Sequence, residues 1–262
     1  MELQVDGKTV FAATGGRPFD PTQPAIVFIH GAGLDHTVWA LQTRYFAHHG
    51  RSVLAVDLPG HGRSAGEALE SIGDQADWIA RLIEAAGLAQ AALVGHSMGA
   101  LITLEAAARH GDRVRAIALL GAAPAMPVHP DLLAAAESGK HLAFELVTSW
   151  GHGPTGHLGG NLAPGLWLMG GGERLLETGR AGALYTDLKA CADYRAGSDS
   201  AAAVACPALL VLGAADRMTP AKAGRKLAEA IPDARVEVIA GCGHMMMAEK
   251  PDQTLDALKT LL

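Results

Sequence analysis

The stretch that decides the fold is Ala91-Ala92-Leu93-Val94-Gly95-His96-Ser97-Met98-Gly99. Its first four residues are small or apolar and predict a buried strand, and the spacing of Leu101, Leu104 and Ala108 predicts a helix directly afterwards. The pattern G-x-S-x-G stands between them, with glycines at both ends that remove the Cβ atoms which would collide in a sharp strand-to-helix turn. This context predicts that Ser97 projects its hydroxyl above the edge of a sheet.

A serine hydroxyl is a weak nucleophile and needs a base and an orienting acid. The run Leu209-Leu210-Val211-Leu212-Gly213-Ala214-Ala215-Asp216 places Asp216 just after a predicted strand. His244 follows the next predicted strand, in Gly241-Cys242-Gly243-His244. The order Ser, Asp, His along the chain is typical of a serine turn that follows a parallel strand. We therefore predict Ser97, Asp216 and His244 as a catalytic triad.

The regions around these motifs alternate between apolar runs and helical patterns, which predicts an α/β fold with a mostly parallel, doubly wound sheet. Asp6-Gly7 is a turn pair that predicts an antiparallel hairpin of Leu3–Val5 and Thr9–Ala13. The predicted parallel strands are Ala25–His30, Ser52–Asp57, Ala91–Gly95, Val114–Leu120, Ala208–Gly213 and, near an edge, Arg235–Ile239. The predicted helices among them are Thr37–His49, Ile72–Ala86, Met98–Arg109, Pro220–Ala230 and Asp252–Leu262.

The alternation stops between about residues 122 and 205, where no strand is evident. Four helices are predicted there: Asp131–Gly139, His141–Trp150, Glu173–Thr178 and Ala183–Tyr194. The glycine-rich segment Gly151–Gly172 is predicted to link them. A long helical insertion between two strands suggests a lid over a site, within a single domain that spans residues 1–262. A helical subdomain without a function of its own is the alternative.

These motifs together resemble the α/β-hydrolase-fold superfamily over nearly the whole chain. His30-Gly31-Ala32-Gly33 resembles the oxyanion turn of that family, and Asp57-Leu58-Pro59-Gly60-His61-Gly62-Arg63-Ser64 resembles the loop after its next strand. Gly213–Pro220 resembles the segment around its acid. The resemblance implies a Ser-His-Asp hydrolase of the esterase type, with a lid as its variable part.

The resemblance also implies the donors of an oxyanion hole, since two backbone N–H groups can hold the negative oxygen of a tetrahedral intermediate. The N–H of Met98, at the start of the helix after the nucleophile, is expected to be one. The N–H of Ala32 is expected to be the second, with Gly33 as the alternative.

Other residues of the lid and loops could contact the substrate. Met126, Trp150, Trp167 and Met169 could form an apolar ceiling above Ser97, or could instead attach the lid to the core. His152 and His157 lack nearby carboxylates and do not form a convincing metal set, so we expect no metal ion and no cofactor.

Composition narrows the choice of partners. The net charge of −6 and an aromatic content of 5% argue against nucleic-acid binding. The three cysteines have no CxxC spacing and are expected to be reduced. The amino-terminal sequence has no signal-peptide pattern, and no apolar run is long enough to span a bilayer, so a cytoplasmic protein is expected. The sequence does not indicate an oligomeric state.

Two classes of protein compete with a hydrolase. A strand leading into Gly31-x-Gly33, with Asp57 ending the next strand, partly fits an NAD-binding oxidoreductase, but His36 stands where the third glycine belongs. A non-catalytic ligand receptor on the hydrolase fold is expected to lose a triad residue, and none is missing here.

The sequence therefore predicts a serine hydrolase that cleaves a carboxylic ester, thioester or lactone of a small-molecule acyl substrate through an acyl-enzyme. Other Ser-triad chemistries on the same fold remain open, namely C–C bond hydrolysis, cofactor-free perhydrolysis (haloperoxidase type) and hydroxynitrile cleavage.

Overall fold

The computed structural model describes residues 1–161, 163 and 165–262, and these form an eight-stranded sheet in the order β1-β2-β4-β3-β5-β6-β7-β8. The strands β1 and β2 form an antiparallel hairpin, and β2 pairs antiparallel with β4, whereas every other neighbouring pair is parallel. The bounds are β1 Glu2–Val5, β2 Lys8–Ala13, β3 Ala25–Ile29, β4 Ser52–Val56, β5 Ala91–His96, β6 Val114–Leu120, β7 Ala208–Gly213 and β8 Ala234–Ile239.

The central strands are buried on both faces, because helices cover each side of the sheet. Alternate residues of one strand enter different cores: Val27 and Ile29 of β3 pack on one face, and Ile26 and Phe28 on the other. The strand β8 lies at the sheet edge and alternates in burial, as its sequence pattern predicts. The predicted fold class is thereby confirmed.

The helices of the described chain are α1 Ala40–Ala47, α2 Ile72–Ala85, α3 Met98–Arg109, α4 Pro130–Glu137, α5 Leu142–Gly151, α6 Leu168–Thr178, α7 Ala183–Asp193, α8 Gly197–Ala203, α9 Ala221–Glu229, α10 Met246–Glu249 and α11 Pro251–Lys259. The prediction of a helix from Thr37 was too long at its start, because His36–Trp39 is a short 3-10 turn capped by the Asp35 carboxylate.

The segment between β6 and β7 is helical, and over its described residues no strand occurs. The linker prediction was wrong at both ends: Gly151 belongs to α5, and α6 begins at Leu168 and runs through Gly170–Gly172. Glycine is a poor helix former, so the sequence hid this part of α6. The short, alanine-rich α8 was also missed. We refer to α4–α8 as the helical insertion. Apolar side chains of α4–α7, together with Leu34, form a third core.

Within the described residues, no helix combines the length and the apolar character needed to cross a membrane.

Candidate active site

Ser97 lies at the turn between β5 and α3, with φ 54° and ψ −118°. A positive φ is unusual for a residue with a Cβ, and among the described non-glycine residues only Asp6 shares it. The flanking glycines are required by close approach. A Cβ on Gly95 would lie 2.0 Å from the carbonyl oxygen of Gly99, and one on Gly99 would lie 2.4 Å from that of Ile29.

His244 and Asp216 are joined directly, with 2.7 Å between Nδ1 of the imidazole and Oδ2 of the carboxylate. Both residues are buried, and both stand in loops that follow parallel strands at the same end of the sheet as Ser97. A carboxylate can only accept, so Nδ1 carries the proton and Nε2 of a neutral His244 is free to act as a base.

The carboxylate of Asp216 is held by three further donors. Its Oδ1 accepts the N–H groups of Met218 and Thr219, each at 2.8 Å, and its Oδ2 accepts the Thr219 hydroxyl at 2.7 Å. Burial alone raises the pKa of Asp216, but the neighbouring His244 and these donors outweigh it, so the pKa lies below its ordinary value. No pattern in the sequence marks Thr219 as a site residue, although it lies within the Gly213–Pro220 segment.

Ser97 and His244 line a common cavity of about 330 Å³ between the sheet and the helical insertion. Nε2 of His244 is buried and has no hydrogen-bond partner among the described residues. The insertion contributes mostly apolar side chains to the wall, including Leu132, Leu176 and Leu188. We call this space the Ser97 cavity. It combines a serine, a free imidazole nitrogen and an apolar surround.

The residues Gly31–Leu34, which we call the 31–34 turn, pass beside Ser97. The N–H of Leu34 donates to the Gly31 carbonyl at 3.2 Å, and Gly33 has φ +68°, the conformation that a type II turn requires at its third residue. The N–H of Gly33 donates to Asp187, so it is not available to a substrate. Among described groups, the N–H groups of Ala32 and Met98 have no hydrogen-bond acceptor.

The four predicted pocket residues separate into two pairs. Met126 and Trp150 line the Ser97 cavity. Trp167 and Met169 are not among the described residues that line it, which corrects the expectation for these two. Trp167 is 46% exposed and lies at the start of α6 with its ring against Gly170, so it covers its own helix rather than Ser97.

His96 also lines the cavity, and its Nε2 donates to the backbone carbonyl of His244 at 3.0 Å. Burial, reinforced by the nearby His244, lowers the pKa of His96 well below its ordinary value. A neutral His96 therefore braces the loop that carries His244.

The helical insertion is hydrogen-bonded to the same loop. The carbonyl of Gly151 accepts the N–H groups of His244 and Met245, at 2.8 and 3.1 Å. The buried carboxylate of Glu249 accepts the N–H groups of Gly153 and Gly243. The end of α5 thus helps to hold His244 in place.

The dinucleotide alternative fails at Asp57. Its Oδ1 accepts both the N–H and the ring Nδ1 of His36, and its Oδ2 accepts the N–H of Arg63. The carboxylate is buried and occupied within the protein, so it does not face a ribose.

Comparisons with known proteins agree with this architecture. A model of the alpha/beta hydrolase family matches residues 26–257. The chain is 31% identical over 250 residues to a pimeloyl-(acyl-carrier protein) methyl ester esterase of Aromatoleum aromaticum, covering 88% of this chain and 94% of that one. It is 29% identical to a 2-(acetamidomethylene)succinate hydrolase of Mesorhizobium japonicum, covering 91% and 88%. An enol-lactonase from Burkholderia xenovorans LB400 superposes with a TM-score of 0.88 at 22% identity, covering 99% and 98%.

Proposed function

The chain belongs to the alpha/beta hydrolase family and cleaves ester-type bonds, and from this premise we propose that it is a serine hydrolase working through an acyl-enzyme. Ser97 is the nucleophile, His244 the general base and acid, and Asp216 the orienting carboxylate. The substrate is a small acyl compound, namely a carboxylic ester, thioester or lactone.

In the first half-reaction, the Ser97 oxygen attacks the acyl carbon while its proton passes to Nε2 of His244. The carbonyl oxygen becomes an oxyanion, which the N–H groups of Met98 and Ala32 stabilise. His244 then gives its proton to the leaving alcohol, thiol or lactone oxygen as the bond between that atom and the acyl carbon breaks. The acyl group stays on Ser97.

In the second half-reaction, water attacks the acyl-enzyme and gives a proton to the same Nε2. The second tetrahedral intermediate collapses, and the bond between the acyl carbon and the Ser97 oxygen breaks. His244 returns its proton to that oxygen, and the carboxylic acid leaves. Throughout, Asp216 keeps the proton of His244 on Nδ1 and stabilises the imidazolium.

The observation that carries this proposal is the state of the His244 ring. Nδ1 is hydrogen-bonded to the carboxylate of Asp216, which has its other donors already in place. Nε2 is buried without a described partner, in the cavity wall that also contains Ser97. An unpaired buried nitrogen costs stability, so its retention is typical of a group that awaits a reaction partner.

The helical insertion acts in this proposal as a lid that shapes the acyl site. Apolar side chains of α4, α6 and α7 in the cavity wall favour an aliphatic acyl group over a charged one. The esterase relative is named for a methyl ester, which supports a carboxylic ester as the first substrate class to test.

The direct test is labelling with a fluorophosphonate, followed by peptide mapping and assays on p-nitrophenyl esters, acyl thioesters and lactones. We expect one adduct, on Ser97, and loss of ester turnover in parallel with labelling, with or without EDTA. An adduct elsewhere, or turnover abolished by EDTA, would overturn the serine mechanism.

A further inference from the structure

A carboxylate of the helical insertion reaches the 31–34 turn beside Ser97. Asp187, in the middle of α7, is 1% exposed, and its Oδ2 accepts the N–H of Gly33 at 2.8 Å. The two residues are 154 positions apart in the chain. A buried carboxylate with a backbone N–H as its partner makes a short, directional contact, because the charge strengthens the hydrogen bond.

The same oxygen accepts a second hydrogen bond, from Nε2 of His61 at 2.8 Å. The other ring nitrogen of His61 faces the carbonyl of Pro59 at 3.0 Å. A carbonyl and an ionised carboxylate can only accept, so these two contacts are both satisfied when each ring nitrogen of His61 carries a proton, that is, by the imidazolium form. Burial alone lowers the pKa of His61, but the charge and hydrogen bond of Asp187 prevail and raise it. Asp187 and His61 therefore form a buried ion pair.

The two peptide groups of the 31–34 turn have different supports. The carbonyl of Gly31 is held by Nδ1 of His30 at 2.9 Å and by the N–H of Leu34. The N–H of Gly33 is held by Asp187. The N–H of Gly33 belongs to the Ala32–Gly33 peptide. Because type I and type II turns differ by a rotation of that peptide, the hydrogen bond to Asp187 favours the orientation that is observed.

The ion pair is poorly arranged for stability alone. The second oxygen of Asp187, Oδ1, is buried and has no partner among the described residues. Replacing a buried ion pair with apolar side chains is often neutral or stabilising, so an incompletely satisfied pair contributes little that leucines would not. Its distinctive contribution is the acceptor that it offers to Gly33.

We infer that Asp187 is a positioning residue: it holds the 31–34 turn so that the N–H of Ala32 faces the oxyanion, and thereby makes the oxyanion hole depend on the helical insertion. This inference rests on the proposed function. Ala32 lies between the two supported peptides, and its N–H has no described acceptor. That N–H belongs to the Gly31–Ala32 peptide, and the contact at Gly33 anchors the other side of the same residue. Loss of the Gly33 contact leaves Ala32 anchored on one side only, so the residue can shift and the donor is misplaced.

The test uses four variants, measured for kcat, KM, thermal stability and rate of phosphonylation by a fluorophosphonate. In Asp187→Ala we expect kcat and the phosphonylation rate to fall together, roughly 10- to 100-fold, because both reactions need the oxyanion donors. KM should change by less than about threefold, since ground-state binding does not use them. Asp187→Asn keeps an acceptor oxygen for Gly33 and should restore most of the rate. Asp193→Ala, which removes an exposed carboxylate of the same helix, is the matched control and should behave as the wild type.

The double variant Asp187→Leu with His61→Leu separates positioning from stability. It removes both charges and fills the space, so it should unfold at a higher temperature than Asp187→Ala while kcat stays low. This variant also serves if Asp187→Ala does not fold. Recovery of kcat together with stability would overturn the inference, as would wild-type kcat in Asp187→Ala or an equal loss of kcat in Asp187→Asn. Failure of the wild type itself to hydrolyse esters or to be labelled would instead refute the proposed function.

Discussion

At Ser97, the backbone adopts a sparsely populated combination of φ and ψ, which costs a residue with a Cβ about 1–3 kcal/mol. Ser97 itself carries this conformation, with φ 54° and ψ −118°, and the flanking glycines allow the strand and the helix to approach. Strain of this kind persists where the surrounding structure over-determines it. The free-energy cost of this strain can therefore be measured by unfolding, separately from any assay of activity.

We predict that Ser97→Ala and Ser97→Gly both lose ester turnover by several orders of magnitude, because neither has a nucleophile. The glycine variant should be more stable than the alanine variant by about 1 kcal/mol, since glycine adopts positive φ without steric cost. Urea unfolding and an ester assay on the two variants check this. Near-wild-type turnover in either variant would end the assignment of Ser97.

The second prediction at the residue scale concerns the support of His244. In Asp216→Asn the amide can donate to Nδ1, which then favours the tautomer with its proton on Nε2, and we expect kcat to fall roughly 10⁴-fold. Thr219→Val, which removes the hydroxyl that contacts both partners, should lower kcat by about tenfold or less because the pair itself remains. Steady-state kinetics distinguish the two losses; similar losses would mean that Thr219 acts as more than a support.

At the scale of the elements, the helical insertion is hydrogen-bonded to two parts of the candidate site, the His244 loop and the 31–34 turn. The carbonyl of Gly151 and the carboxylate of Glu249 tie the end of α5 to the His244 loop, and Asp187 ties α7 to the 31–34 turn. The shape of the Ser97 cavity and the geometry of the candidate catalytic groups are thus coupled through the same helices.

The prediction at this scale compares two tryptophans of the helical insertion. Trp150 lines the Ser97 cavity, whereas Trp167 is exposed on α6. Trp150→Ala should enlarge the acyl site, so that p-nitrophenyl esters with longer acyl chains become the preferred substrates. The ratio of kcat/KM between long and short esters should change by an amount equivalent to up to about 3 kcal/mol. Trp167→Ala is the matched control and should leave the chain-length profile unchanged. The reverse result would place the specificity surface on the outer side of α6.

For the whole molecule, the buried histidines make stability depend on pH. Burial, and then the nearby His61, lower the pKa of His30 to about 4. Its Nδ1 donates to the Gly31 carbonyl, and its Nε2 accepts the N–H of Leu58 at 3.1 Å. Protonation of the ring would place a proton on Nε2, so that Nε2–H and the N–H of Leu58 would face each other as two donors. His61, whose pKa is raised, acts in the opposite direction and keeps its stabilising contribution in acid.

We predict that His30 alone makes the folded state lose stability as the pH falls from about 6.5 to about 4, because the unfolded chain then binds a proton that the folded chain excludes. The slope from one such group approaches about 1.4 kcal/mol per pH unit. In His30→Asn, the unfolding free energy should be lower at pH 7 and fall less steeply in acid. Urea titrations from pH 7 to 4.5 test this, and parallel curves for the two proteins would contradict it.

Much of the architecture followed from local patterns. The bounds of α3, β6 and β7 agree with the sequence analysis, and the hairpin around Asp6-Gly7 forms as its turn chemistry predicts. Gly170–Gly172 lie in α6 although their sequence predicts a linker, because packing can stabilise a helix whose residues have low helix propensity. The candidates Ser97, Asp216 and His244 follow β5, β7 and β8, and they lie at the same edge of the sheet because the carboxyl ends of parallel strands meet there.

The sequence by itself thus determined the strands of the sheet, the serine turn and the identity of the candidate triad residues, because each of these is marked by a motif of residues close together in the chain. Only the tertiary structure decided that Trp150 faces the cavity and Trp167 does not, and that Asp187 holds Gly33. Such contacts arise from the packing of helices far apart in the sequence. An aspartate within a helix carries no local sign of the distant N–H that it accepts, because the pairing exists only once the core has formed.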